Sequence, residues 1–186
     1  GRPSSRTPDW ATANNTPFIL EIASITPSPM RSDVEVLDTD GNSSVFNDDV
    51  TVAVNVFRKN NNPTLGTSPV EHVYLERYEV RFFRSDGHNT EGVDVPFHIT
   101  GPLGNLRFHT AGPGGQGEVE QTVAITLVRH QAKLEPPLKN LAFGGNELII
   151  TTIAEITIHA RTVQGGVVEA RGSVQVSFAD FADGQQ

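Results

Sequence analysis

ELIITTIAEITIHARTVQGGVVEARGSVQVSF, residues 147–178, alternates apolar and polar side chains along two arms. On the first arm Ile150, Ala154, Ile156, Ile158 and Ala160 share one parity, and Glu155, Thr157, His159 and Arg161 share the other. On the second arm Val168, Ala170, Gly172, Val174, Val176 and Phe178 alternate with Glu169, Arg171, Ser173, Gln175 and Ser177. Successive side chains of a strand point to opposite faces, so each arm has one face for a core and one for water. Gln164-Gly165-Gly166 supplies residues that tolerate the positive φ of a tight hairpin. The segment predicts a long antiparallel hairpin. Its outward face mixes Glu, Arg, His, Thr and Gln without the pattern of a site, and reads as scaffold.

The same alternation recurs upstream. FILEIASIT, residues 18–26, predicts a first strand closed by Pro27 and Pro29, followed by a polar connection over 32–49. Residues 50–58 set Val50, Val52, Val54 and Val56 on one face. In VYLERYEVRFFR, residues 73–84, Tyr74, Tyr78, Val80 and Phe82 fall on one parity and Arg77, Glu79, Arg81 and Phe83 on the other. GVDVPFHIT, residues 92–100, predicts an edge strand, because Pro96 cannot donate to a ladder. Residues 101–116 are Gly-rich, with a short strand over Leu106–His109, and 118–130 place Val119, Val123, Ile125 and Leu127 together. Pro136-Pro137 opens a helical turn in which Leu134, Leu138 and Leu141 are expected to cap one end of the core. Seven to eight turn-separated strands without an amphipathic helix predict an all-β fold. The expected form is an antiparallel two-sheet immunoglobulin-like sandwich with an extended N-terminal arm. The boundaries are an arm at 1–17, one domain at 18–181 and a tail at 182–186.

The 186 residues carry 14 Lys+Arg against 22 Asp+Glu, a formal charge of −8 without a basic run. Phosphate affinity needs clustered cations, so nucleic acid is excluded as a partner, and an anionic membrane surface is disfavoured. No apolar run reaches the roughly 18–20 residues that span a bilayer. The chain has no Cys, which excludes disulfides, thiolate metal sites and a Cys nucleophile. It starts at Gly1, as expected of a processed extracytoplasmic protein in the periplasm, at the cell surface or secreted, with room for a lipid anchor upstream of Gly1.

IAEITIHARTVQGGVVEARGSVQVSFADF, residues 153–181, resembles the last two strands of the immunoglobulin-like or fibronectin-type-III-like sandwiches of bacterial cell-envelope proteins, of predicted lipoprotein type. YLERYEVRFFRSDG, residues 74–87, is similar in style. The resemblance covers about two thirds of the chain and implies fold and compartment. It transfers no functional residue, and the Cys…Trp…Cys signature of antibody domains is absent.

Asp38-Thr39-Asp40-Gly41-Asn42-Ser43-Ser44 places oxygen side chains at alternate positions, and Asp49 follows eleven residues after Asp38. Asp38, Asp40, Asn42 and Asp49 are therefore the candidate calcium ligands, since this cation takes six to eight oxygens. The same residues also suit a plain turn. The six histidines show no metal-ligand spacing, and no G-x-S-x-G occurs. Glu118 and Glu120 share a strand face as a solvated pair. Trp10, Phe57 and Phe83 lie off the inward parity and suit either a sugar platform or a contact with a loop or subunit.

The expected function is a non-enzymatic structural or assembly module, secreted or at the cell surface. It would associate with itself or another envelope protein, as in a filament, through the arm and first strand, with Trp10, Phe18, Leu20 and Ile22 as the assembly residues. The alternative is a calcium- or carbohydrate-binding accessory module.

Overall fold

The structure, a computed structural model, describes residues 16–59, 72–110, 121–142 and 148–181. These residues form ten strands: β1 (Phe18–Thr26), β2 (Met30–Asp33), β3 (Val36–Leu37), β4 (Ser43–Ser44), β5 (Asp48–Arg58), β6 (His72–Phe83), β7 (Ile99–His109), β8 (Gln121–Val128), β9 (Ile150–Thr162) and β10 (Val167–Ala179). A one-turn helix α1 (His130–Lys133) and a 3-10 turn (Leu138–Leu141) are the only helical pieces among the described residues. The fold is all-β. One sheet has three antiparallel strands in the order β1-β5-β8, a second is curled and mixed with the order β2-β10-β9-β6-β7, and β3-β4 is a small hairpin.

The β9–β10 hairpin forms with Val167 opposite Arg161 and Phe178 opposite Ile150. Gly165 takes φ +88° in its turn. Inward residues of both sheets join one apolar cluster, with Val50, Val52, Val54, Val56, Ile125 and Leu127 from the first and Leu75, Val80, Phe82, Ile156, Ile158 and Phe178 from the second. Phe82 and Phe178 meet edge to face at 5.9 Å. Burial of such side chains contributes on the order of 1.5–3 kcal/mol each.

The structure departs from the sequence expectations at four places. The connection predicted over 32–49 includes the second half of β2, which pairs in parallel with β10 from Met30↔Val176 to Asp33↔Ala179, so the second sheet is not purely antiparallel. Four residues with one apolar member carry no periodic signal, although Met30 and Ser32 are both buried. In β6 the register shifts between Leu75 and Arg77. A bulge inserts one residue and reverses parity, so Val73 and Leu75 point inward upstream of it and Tyr78, Val80 and Phe82 downstream, while Tyr74 leaves the core face. The edge strand predicted over 92–100 is a turn at 91–95, and the strand begins at Ile99 and continues through the Gly-rich stretch to His109. Leu138 and Leu141 close the core, but Leu134 is 49% exposed and does not.

Side chains close the seam between the sheets at β7 and β8. Tyr78 Oη donates to Thr126 O at 3.2 Å, Gln121 exchanges two bonds of 2.7 Å with the His109 backbone, and Arg129 donates to Thr100 O at 2.8 Å. The Tyr78 ring lies over Gly101, where a Cβ would come within 2.4 Å of it.

Candidate functional site

Unpaired backbone at a sheet edge is a template for another chain, and most edges of this fold are protected. β2 is only four residues long. β7 carries Pro102 and two left-handed residues, Gly104 (φ 67°) and Asn105 (φ 55°), which disrupt its outer ladder. β8 is tied to β7 by the side chains described above. β1 differs. It pairs with β5 from Phe18↔Arg58 to Thr26↔Thr51, with a bulge between Ile22 and Ser24, and has no ladder on its other side among the described residues. β10 is also bonded on one side alone, to β9, until β2 joins it at Val176.

The chain arrives at this seam under close steric control. Thr16 is buried, its Oγ1 donates to Phe18 O at 3.2 Å, and its methyl rests on Gly166, where a Cβ would lie 2.6 Å away. Only glycine in the β9–β10 turn leaves that room. Lys59 N donates to Pro17 O at 2.8 Å and extends the β1–β5 ladder. Farther along, Ile22 Cγ2 sits 2.9 Å from the place of a Gly172 Cβ. Between these two contacts a hollow of about 210 Å³ opens, lined by Thr16, Phe18, Ile19, Leu20, Val167 and Val168, with Lys59 and Glu169 at its polar side. Ile19 and Val167 are each 47% exposed beside it.

Phe18 and Leu20, expected at an assembly surface, are 5% exposed and belong to the chain's own core, and Ile22 packs against that core. The assembly residue Trp10, with residues 1–15 of the arm, lies outside the described residues. So do Glu118, Glu120 and the C-terminal tail at 182–186.

The acidic loop is a self-contained turn. Asp38 accepts bonds from Asp40 N (2.9 Å), Asn42 N (2.8 Å) and Asn42 Nδ2 (2.9 Å). These donors, the Asn42 side chain first, hold its carboxyl below the usual range. Asp49 stands on β5 and accepts from Thr126 Oγ1 at 2.8 Å. Among the described residues no group of three or more His, Asp or Glu is placed to hold a metal ion.

The outward face of the hairpin is more organised than its composition suggests. β9 lies between β6 and β10, so Thr157 and His159 are buried despite their outward parity. His159 Nδ1 is 3.2 Å from Glu169 and its Nε2 is 3.7 Å from Glu79, without a hydrogen bond at Nε2. Arg77 bonds Glu79, Arg171 stands 3.8 Å from Glu169, and Arg161 pairs with Glu76. The Arg77 bond, more than His159, holds the Glu79 carboxyl below its usual range. This lattice neutralises itself across three strands. Finding it requires the register pairs Arg77↔His159 and Glu169↔His159, which no linear spacing contains.

Phe57 is half-buried on β5, and Phe83 is 41% exposed opposite Ile153. Two more exposed aromatics escaped the sequence reading, Phe46 at 59% and Phe97 at 53%. Phe97 lies in the segment expected to be an edge strand, where the strand starts only at Ile99. Compared with models of known protein families and with characterised protein sequences, the chain matches none.

Proposed function

We propose that the protein is a non-enzymatic structural module of the cell envelope, a two-sheet immunoglobulin-like or fibronectin-type-III-like sandwich that assembles by accepting an extended segment at the β1–β10 seam. The partner is a second copy, through the part of its arm that precedes Thr16, or another envelope protein. The observation that carries this reading is the pair of one-sided strands β1 and β10 bordering an apolar hollow of about 210 Å³. A short extended segment seated between the Thr16–Gly166 and Ile22–Gly172 contacts, where β1 and β10 close on each other, gains main-chain hydrogen bonds from the open edge and places apolar side chains in the hollow. The sandwich assignment draws on the two sheet orders, the parallel β2–β10 pairing where the chain changes sheets, and the shared core. The extracytoplasmic placement draws on the resemblance of residues 153–181.

The test is sedimentation of the full chain over a concentration series, with Ile19→Asp and Val167→Asp as variants. Both side chains are half exposed, so the variants should stay folded. The expected result is concentration-dependent association that either variant abolishes, together with a blue shift of emission from Trp10, the only tryptophan. A chain that remains monomeric at millimolar concentration, with unchanged Trp10 emission, would refute self-assembly.

A further inference from the structure

A second hollow, about 160 Å³, lies where the sheets meet at the start of β7, between Pro96–Ile99 and the segment from Arg129 to Pro136. Its apolar surface comes from Pro96, Phe97, Ile99, Ala132 and Pro136, and its polar rim from His98, Arg129, Gln131 and Glu135. Its walls are held by local chemistry. Asp94 accepts from Thr90 N at 3.1 Å and Gly92 N donates to Val95 O at 2.8 Å, folding residues 90–95 into a turn. Gly92 sits there at φ +75°, and a Cβ on it would strike Phe97 Cζ at 2.4 Å. The tip of the Phe97 ring therefore rests on bare backbone while the ring remains 53% exposed. An exposed aromatic in a fixed position costs little further entropy when a ligand covers it.

The rim is equally constrained and carries both signs. Glu91 accepts from His98 N at 3.2 Å and lies 2.9 Å from His98 Nδ1, so the ring presents Nε2 as its remaining polar atom. The His98 side-chain bond is the main reason the Glu91 carboxyl stands below its usual range. Arg129 spends one guanidinium nitrogen on Thr100 O and keeps its other donors. Gln131 Nε2 donates to Glu135 Oε1 at 3.0 Å, leaving the Gln131 carbonyl and the second Glu135 oxygen as acceptors.

We propose that this hollow binds a neutral sugar ring. The volume is close to the about 150 Å³ that encloses a six-membered ring such as benzene. The negative π-face of Phe97 favours the weakly positive C–H face of a pyranose. Hydroxyl groups both donate and accept, which matches a rim that alternates Arg129 donors with Gln131 and Glu135 acceptors. A purely apolar ring would leave those groups without partners, at a cost of about 1–3 kcal/mol for each one buried. An anion would meet Glu135 beside Arg129, and a cation would meet Arg129. The site is separate from the β1–β10 seam and does not depend on it.

The experiment is amide NMR titration of the full chain with glucose, N-acetylglucosamine, cellobiose and chitobiose, and in parallel with a proline-rich peptide. Expected are shifts confined to residues 90–100 and 129–136 with at least one sugar. Phe97→Ala should weaken that sugar about tenfold, the scale of one aromatic contact. Gln131→Ala should weaken it less and alter the preference among the sugars. Unchanged melting temperatures establish that both variants fold. No shifts with any sugar, shifts elsewhere, an affinity indifferent to Phe97→Ala, or shifts with the peptide alone would each overturn the assignment.

Discussion

Lys133 is the most informative side chain to remove. It ends α1 with its side chain 2% exposed, and Nζ lies 2.9 Å from Asp48 Oδ2, whose own side chain is 16% exposed. Ser32 Oγ donates to the same oxygen. One carboxylate thus joins β2 of the five-stranded sheet, β5 of the three-stranded sheet and the helix that walls the Phe97 hollow. Lys133→Met keeps the apolar stem and deletes the ammonium, which leaves a mostly buried carboxylate with Ser32 as its remaining donor. Breaking a buried pair from one side costs about 3–5 kcal/mol. With a urea m-value of about 2 kcal/mol per molar, the unfolding midpoint should fall by about 1.5–2.5 M. The double variant K133M/D48N removes both charges and should recover most of the loss, so the cycle should show a coupling of about 2 kcal/mol or more. Because the pair is buried, high salt should change the loss little. A midpoint shift below about 0.5 M, or a double variant as unstable as the sum of the singles, would refute the reasoning.

Other outcomes follow from close contacts and charges. Gly101→Ala should displace the Tyr78 ring and break its bond to Thr126 O, costing about 2–3 kcal/mol by thermal or urea unfolding, against about 1 kcal/mol for Tyr78→Phe. Equal effects would show that the ring adapts freely. Gly172→Ala should destabilise through Ile22, and adding Ile22→Ala should cost less than the sum of the singles. Strict additivity would place the strain elsewhere. Asp38, Glu79, Asp86 and Glu91 all stand below their ordinary carboxylate range, chiefly through bonds from Asn42, Arg77, the His88 amide and His98 respectively. Their native pKa values lie under the unfolded ones, so their stabilisation is fully present above about pH 5 and is lost as pH falls through and below about 4. The melting temperature should decline over that window, and Glu91→Gln should flatten the decline; a melting temperature that rises on acidification would contradict the sign.

The alternation that identifies β1, β5, β6, β8, β9 and β10 was legible because each strand is long enough to show period two. Where a single residue changes the count, as at the β6 bulge, parity fails for every residue on one side of it, and Tyr74 was misplaced for that reason. β2 was illegible because Ser32 is buried by its place beside β10 and not by its own hydropathy. Phe97 was hidden by a strand that Gly92 and Asp94 turn into a bend. The edge at β1 could not be read at all: an edge is a property of which strands are neighbours. The apolar segment FILEIASIT suited a donated strand, and the fold uses it at home, presenting its outer side instead.

By itself, then, the chain's pattern determined the all-β class, the long hairpin and the exclusion of thiol chemistry, because these depend on side-chain period and residue inventory. Only the tertiary structure decided the parallel β2–β10 pairing, the buried Lys133–Asp48 pair, the Glu79–His159–Glu169 lattice and the two hollows. Each joins residues far apart in sequence, and their approach is set by strand register and sheet order, which follow from closing one shared core.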